Sequence, residues 1–122
     1  MMVDENSIFE MIAYGGNARA KAYEAAARAR KGDFELAEKL LKEADEEMLK
    51  AHHVQTRLIH EEVQGKKHEV SVLLVHAQDH LMTAMAERSL IENMIDLFRR
   101  VRELEVEVSA LKGCLGNEKI DS

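Results

Sequence analysis

The 122 residues weigh 13.8 kDa, which suits one domain and leaves little room for a second hydrophobic core. With 23 acidic against 17 basic residues, the net charge of −6 disfavours nonspecific binding to nucleic acid or to acidic membranes. No proline, no tryptophan and 15 alanines favour helices over a sheet, and 33% charged residues beside 46% hydrophobic ones fit neither a disordered chain nor a conventional membrane protein.

The opening MMVDENSIFEM has neither the cationic start nor the apolar run of a secretory signal, so the cytoplasm is the expected location. A first helix is predicted from about Asn6 to Lys31, with Ile8, Met11, Ile12, Ala18, Ala22, Ala25, Ala26 and Ala29 forming an apolar stripe. Inside it Gly15 and Gly16 mark a close helix contact rather than a kink. Gly32 ends this helix and Asp33 caps the next.

The second helix is predicted over Phe34 to Val63, presenting Phe34, Ala37, Leu40, Leu41, Ala44, Met48, Ala51, Gln55, Leu58 and Ile59 to its neighbours. The GKKH run at Gly65 to His68 makes the second turn. If that turn is compact, the following helix runs antiparallel, setting Leu58 beside His76 and His52 and His53 beside Met82 and Leu81. The same register puts the Gly15–Gly16 pair roughly 14 Å from His76 along the bundle, a poor position for a phosphate loop.

A third helix is predicted from near Glu69 to Leu111, about 64 Å long against about 45 Å for the second. Met94, Leu97, Val101, Leu104, Val108 and Leu111 alternate spacings of three and four, the pattern of a coiled-coil seam. The end of this helix outruns its neighbour, so a second chain is expected to cover the seam; the plainer alternative leaves it in water. The expected domain is therefore 1–111, with 112–122 a loosely held, flexible tail in which Cys114 is incidental.

The run VHAQDHLMTAM carries the unusual chemistry. His76 and Asp79 are three residues apart and His76 and His80 four, so they share one face, and His76, Asp79 and Thr83 fall on a track with Val72, Ala86 and Leu90 where a bundle ordinarily places hydrophobes. Three readings of His76 stand open on this spacing: a satisfied structural histidine, a metal ligand, or a nucleophile whose second ring nitrogen fixes the tautomer. The chain has no HExxH and no glutamate three residues before any histidine, which disfavours a zinc hydrolase or a di-iron oxidase. Copies of Asp79 meeting on a symmetry axis would repel one another and so favour a bound cation or a raised proton affinity.

Taken with GGNARAKAYEAAARARKGDFELAEKLLKEADEEMLKAHHVQT, the HAQDH segment resembles the lactose/cellobiose family of phosphotransferase-system enzyme IIA components, including those for diacetylchitobiose, over residues 6 to 101. The resemblance implies an all-α, antiparallel three-helix subunit that forms a homotrimer, a nine-helix bundle. It implies that His76 accepts a phosphoryl group from the general histidine-containing phosphocarrier and passes it to a cysteine of the sugar-specific IIB component, coupled to a membrane IIC. It further implies Asp79 as a trimer-axis ligand to Mg2+, with Gln78 and His80 supporting. A phosphotransferase component of this kind needs no direct sugar contact. The competing reading is a trimeric adaptor whose HxxDH segment binds metal without being phosphorylated.

Overall fold

The computed structural model describes residues 2–121, with side chains described for 2–116. Three helices follow in chain order, α1 (Glu5–Arg30), α2 (Phe34–Val63) and α3 (Val72–Asp121). Arg57 of α2 donates to the Ser7 hydroxyl of α1 at 2.6 Å, while Arg19 of α1 pairs with Glu87 of α3 at 2.8 Å. These two pairs show that α2 returns antiparallel to α1 and that α3 runs back parallel to it.

Local chemistry sets the helix ends. The Asp4 carboxylate accepts from the Asn6 N–H and caps α1. At the other end Gly32 adopts φ +91°; its N–H donates to Ala29 and the Asp33 N–H donates to Arg28, the paired bonds of a Schellman motif. Asp33 then accepts from the Leu36 N–H at 3.2 Å, so one residue closes α1 and opens α2. Gly65 repeats the device at φ +95°, with Gly65 and Lys66 donating to Glu62 and Glu61.

The second connection is longer than the GKKH turn expected from sequence. Residues 66–71 are irregular and α3 begins at Val72, not near Glu69, because the Ser71 hydroxyl accepts from the Leu74 N–H at 3.1 Å and supplies the cap. The far boundary also differs: α3 continues beyond Leu111, through Gly113 and Gly116, to Asp121, so the segment expected as a loose tail is helical in the described residues. Helix continuity there costs about 1 kcal/mol per glycine relative to alanine, and residues 106–115 lie exposed beyond the recess that Val101, Arg102 and Glu105 share with Ala29, Gly32 and Phe34. Ser122, the last residue of the expected tail, lies outside the described residues.

The core has two parts. Near the second connection, Ile8, Met11, Ala18, Met48, Ala51, Leu58, Leu74, Ala77, Leu81 and Ala84 pack together; Met11 and Leu81 are fully buried. Toward the Gly32 turn the core is Ala22, Ala25, Ala29, Ala37, Leu40, Leu41, Ala44, Ile91 and Ile95, with Phe34 and Phe98 closing its end. The many alanines let the axes approach closely, and α1 packs along both partners more extensively than α2 and α3 pack on each other.

Arg88 fastens α2 to α3 by a two-pronged pair with Asp45 at 2.5 and 2.8 Å and a bond to Glu92. Donation to the Asp45 carboxylate raises the Arg88 pKa above the usual arginine value, against the lowering effect of partial burial. Arg99 pairs with Glu38 and lies over the Phe34 ring at 5.0 Å, marking where α3 leaves the body.

Candidate functional site

The inward face of α3 is set by Leu74, Ala77, Leu81, Ala84, Ile91 and Ile95, all buried. Helical spacing forces the residues between them outward. Val72, His76, Asp79, Thr83, Ala86 and Leu90 accordingly lie exposed along one side of the subunit. The polar track that is anomalous for an intrachain core is outside the core altogether. No unpaired acid or imidazole is buried there, and the desolvation problem raised by the sequence does not arise within one chain.

Among the described residues His76 makes no hydrogen bond or ion pair; its imidazole lies near-parallel to that of His80, centroids 6.2 Å apart and planes 16° apart. An imidazole exposed in this way offers a ring nitrogen lone pair to an incoming electrophile. His80 is half-buried one turn further on. Its other neighbour is the glycine pair of α1: a methyl at Gly15 would stand 3.6 Å from the His80 Cδ2 and one at Gly16 3.5 Å from its Nε2.

This corrects the glycine placement drawn from sequence. Gly15 and Gly16 adjoin His80, about one turn from His76, instead of lying roughly 14 Å away. The expected register runs from α1 to α3 through α2, whereas α1 packs on α3 directly, with Gly15 beside the Leu81 backbone. Both glycines face α3, but a methyl at either would meet its neighbours at ordinary contact distance, so the approach expected from sequence does not itself require glycine.

The α2–α3 register is also displaced. Gln55, not His52 or His53, faces Met82, its Nε2 standing 3.6 Å from the sulfur. His52 and His53 are exposed and bring nothing to the histidine pair in the described contacts. Gln55 is the buried polar residue that the apolar spacing presents as ordinary core; its Oε1 has no partner. A glutamine on an otherwise apolar stripe is the available signal.

Asp79 is exposed and its carboxylate forms no bond among the described residues; Thr83 donates its hydroxyl to the carbonyls of Asp79 and His80, at 2.9 and 3.1 Å, instead of to that carboxylate. No group of three or more metal-ligating side chains occurs among the described residues. A single chain therefore supplies one carboxylate arm, too few oxygen donors for a Mg2+ site. Gln78 lines a different recess with Leu58, His68 and Leu74, two residues around the helix from His76.

The remaining histidines are distinguishable by their bonds. His68 is largely buried in the α2–α3 connection, its Nε2 2.7 Å from Glu61 and its Nδ1 enclosed without a partner. His60 contacts Gln64 at 3.2 Å. Cys114 is a free, exposed thiol on α3, about 57 Å along the helix from His76.

No helix among the described residues is long and apolar enough to cross a membrane. Residues 6–99 match the family described as "PTS system, Lactose/Cellobiose specific IIA subunit". The chain is 48% identical over 99 residues to the lichenan-specific phosphotransferase enzyme IIA component of Bacillus subtilis strain 168, covering 81% of this chain and 90% of that one. Its fold superposes on the crystal structure of the cellobiose-specific enzyme IIA from Bacillus anthracis with a TM-score of 0.80 at 42% identity, covering 84% of this chain and 95% of that one. It superposes on the IIA component in the solution structures of the IIA(Chitobiose)-HPr complex of the N,N'-diacetylchitobiose branch of the Escherichia coli phosphotransferase system with a TM-score of 0.71 at 39% identity, covering 80% and 95%. The three-helix body carrying HAQDH thus belongs to the lactose/cellobiose IIA family, and the chain is a phosphoryl-carrying component of a sugar phosphotransferase system.

Proposed function

We infer that His76 is the group that carries the phosphoryl. The observation behind this assignment is its exposed imidazole, free of hydrogen bonds among the described residues and placed beside a second imidazole, whereas His68 is committed to Glu61 and enclosed. A ring nitrogen of His76 attacks phosphorus in line as the bond from phosphorus to the donor histidine breaks, and the donor's imidazole departs with that electron pair. In the second half-reaction a cysteine thiolate of the sugar-specific IIB component attacks the same phosphorus, and His76 leaves as the free imidazole. His80 supports the phosphorylated state by contact from one turn away, beside the glycine pair. Gln78 acts from the neighbouring recess on the docked partner, not on the imidazole.

The donor is the general histidine-containing phosphocarrier. Support comes from the likeness to a IIA component solved in complex with HPr. The transported sugar is a disaccharide such as lactose, cellobiose or diacetylchitobiose, drawn from the range of sugars named for similar proteins. The carrier acts in the cytoplasm, coupled through IIB to a membrane IIC.

The working unit is a homotrimer in which the exposed tracks of α3 face a common axis and form a nine-helix bundle. Converging Asp79 carboxylates then provide the oxygen donors that a single chain lacks, and hard oxygen ligands suit Mg2+. Such an ion neutralises like charges at the axis; His76 performs the transfer chemistry.

Transfer to the wild type and to His76→Ala in the presence of the general phosphotransferase components tests the assignment. Wild type acquires an acid-labile, base-stable phosphohistidine and passes it to IIB, and His76→Ala does neither. Equal labelling and transfer by both proteins overturns it.

A further inference from the structure

The family match ends at residue 99, at the point where Arg99 clasps Phe34 and Glu38, yet α3 continues to Asp121. Along this arm and back onto the body runs a stripe of Leu90, Met94, Leu97, Val101, Leu104, Val108, Leu111 and Leu115, every one exposed. From Val101 onward these side chains are 47–64% exposed. Their spacing alternates four and three throughout, a heptad with Met94, Val101, Val108 and Leu115 at a and Leu90, Leu97, Leu104 and Leu111 at d. A stripe this regular is not the scattered exposure of single hydrophobes found on ordinary surfaces.

The flanking charges identify what covers it. In this heptad Arg100 and Glu107 occupy g, and Glu105 and Lys112 occupy e. When identical helices lie parallel and in register, each g residue meets the e residue of the next heptad on its neighbour. Arg100 then faces Glu105 and Glu107 faces Lys112 of the other copy, opposite charges in both pairs. The antiparallel register that covers the same hydrophobic residues keeps only an Arg100–Glu107 pair and sets Glu105 opposite Phe98 and Lys112 opposite Ile91. The seam also continues, on the same side of α3, into the exposed Ala86, Thr83 and Asp79 of the body.

We propose that the α3 arm is a parallel, in-register coiled coil between copies of this chain, extending the subunit association beyond the family's body. Its partner is another copy of the same arm, selected by apolar a and d layers and by the Arg100–Glu105 and Glu107–Lys112 charge pairs. The proposal extends the self-association of the proposed function, but its charge pairs and its layers from Val101 onward lie outside the family match and its readout needs no phosphoryl donor. Failure here with intact phosphoryl transfer would separate the two readings.

The test uses the full chain carrying Leu111→Cys in a Cys114→Ser background, oxidised with glutathione disulfide. Parallel arms bring position 111 against its own copy, so an interchain disulfide forms and is reversed by reductant. Adding Glu105→Arg places like charges at the seam and slows crosslinking about tenfold; adding Arg100→Glu to that variant reverses the charges and restores the rate. Circular dichroism verifies that each variant keeps its helix content, as exposed positions allow. No crosslink at position 111, crosslinking of Leu111→Cys only when mixed with Met94→Cys, or a rate indifferent to the charge reversal overturns the proposal.

Discussion

His80 stands between two partners on different helices: its ring lies near-parallel to that of His76, 6.2 Å away, and its Nε2 looks onto Gly16 of α1, where an added methyl would come to 3.5 Å. Gly15 and Gly16 thus border an imidazole one turn from the proposed phosphoryl acceptor, with room for a methyl group but not for a large side chain.

Methyl groups at those glycines meet His80 at ordinary contact distance, so the fold accommodates Gly16→Ala. Replacing a mid-helix glycine by alanine stabilises α1 by about 1 kcal/mol, which raises the melting temperature by about 4–8 °C for a body of this size. Gly15→Leu is expected to lower stability by about 2 kcal/mol, because the larger side chain starts 3.9 Å from the Leu81 Cα and must displace α3 or His80. Thermal unfolding of the two variants measures both signs; a destabilised Gly16→Ala would contradict the geometry.

Asp79 supplies a different test because it lies exposed with no partner for its carboxylate among the described residues. If three copies meet along this track, Asp79→Leu removes like-charge repulsion and adds apolar contact, so self-association is retained or strengthened by about tenfold. With the proposed axial ion held by these carboxylates, the same variant is expected to bind no divalent ion there. Sedimentation together with elemental analysis reads both properties, and unchanged metal content in Asp79→Leu rejects this carboxylate as an essential ligand.

Gly32 and Gly65 sit at φ +91° and +95°, and a Cβ added at either would meet nothing within 4 Å, so crowding plays no part at these positions. Backbone strain alone then predicts that Gly32→Ala and Gly65→Ala each cost about 1 kcal/mol. Urea unfolding measures the two losses, which add because the turns lie at opposite ends of the bundle. Loss at Gly65→Ala of more than the strain energy would show that the α2–α3 connection, with its His68–Glu61 pair, had rearranged as well.

Much of the architecture is legible in the sequence because it is local. Apolar spacing, Gly32, Asp33 and Gly65 specify the helices and their Schellman and N-cap ends through interactions within a few residues. The Ser71 cap is hidden because the charged GKKH run masks a later start, and the continuation past Leu111 because glycines predict an end that no tertiary contact enforces. Gln55 and the glycine pair require knowledge of which helix lies across from which, and a register transferred through an intermediate helix accumulates an error of about one turn.

The family likeness followed from the order of residues alone, since HAQDH within its helical frame carries it without coordinates. Exposure of His76, burial of His68 against Glu61, and the seating of His80 on Gly15 and Gly16 were decided only by folding. Helical periodicity tells which side chains share a face, but accessibility depends on where the other two helices cross that face, and that is a property of packing between residues distant in the chain.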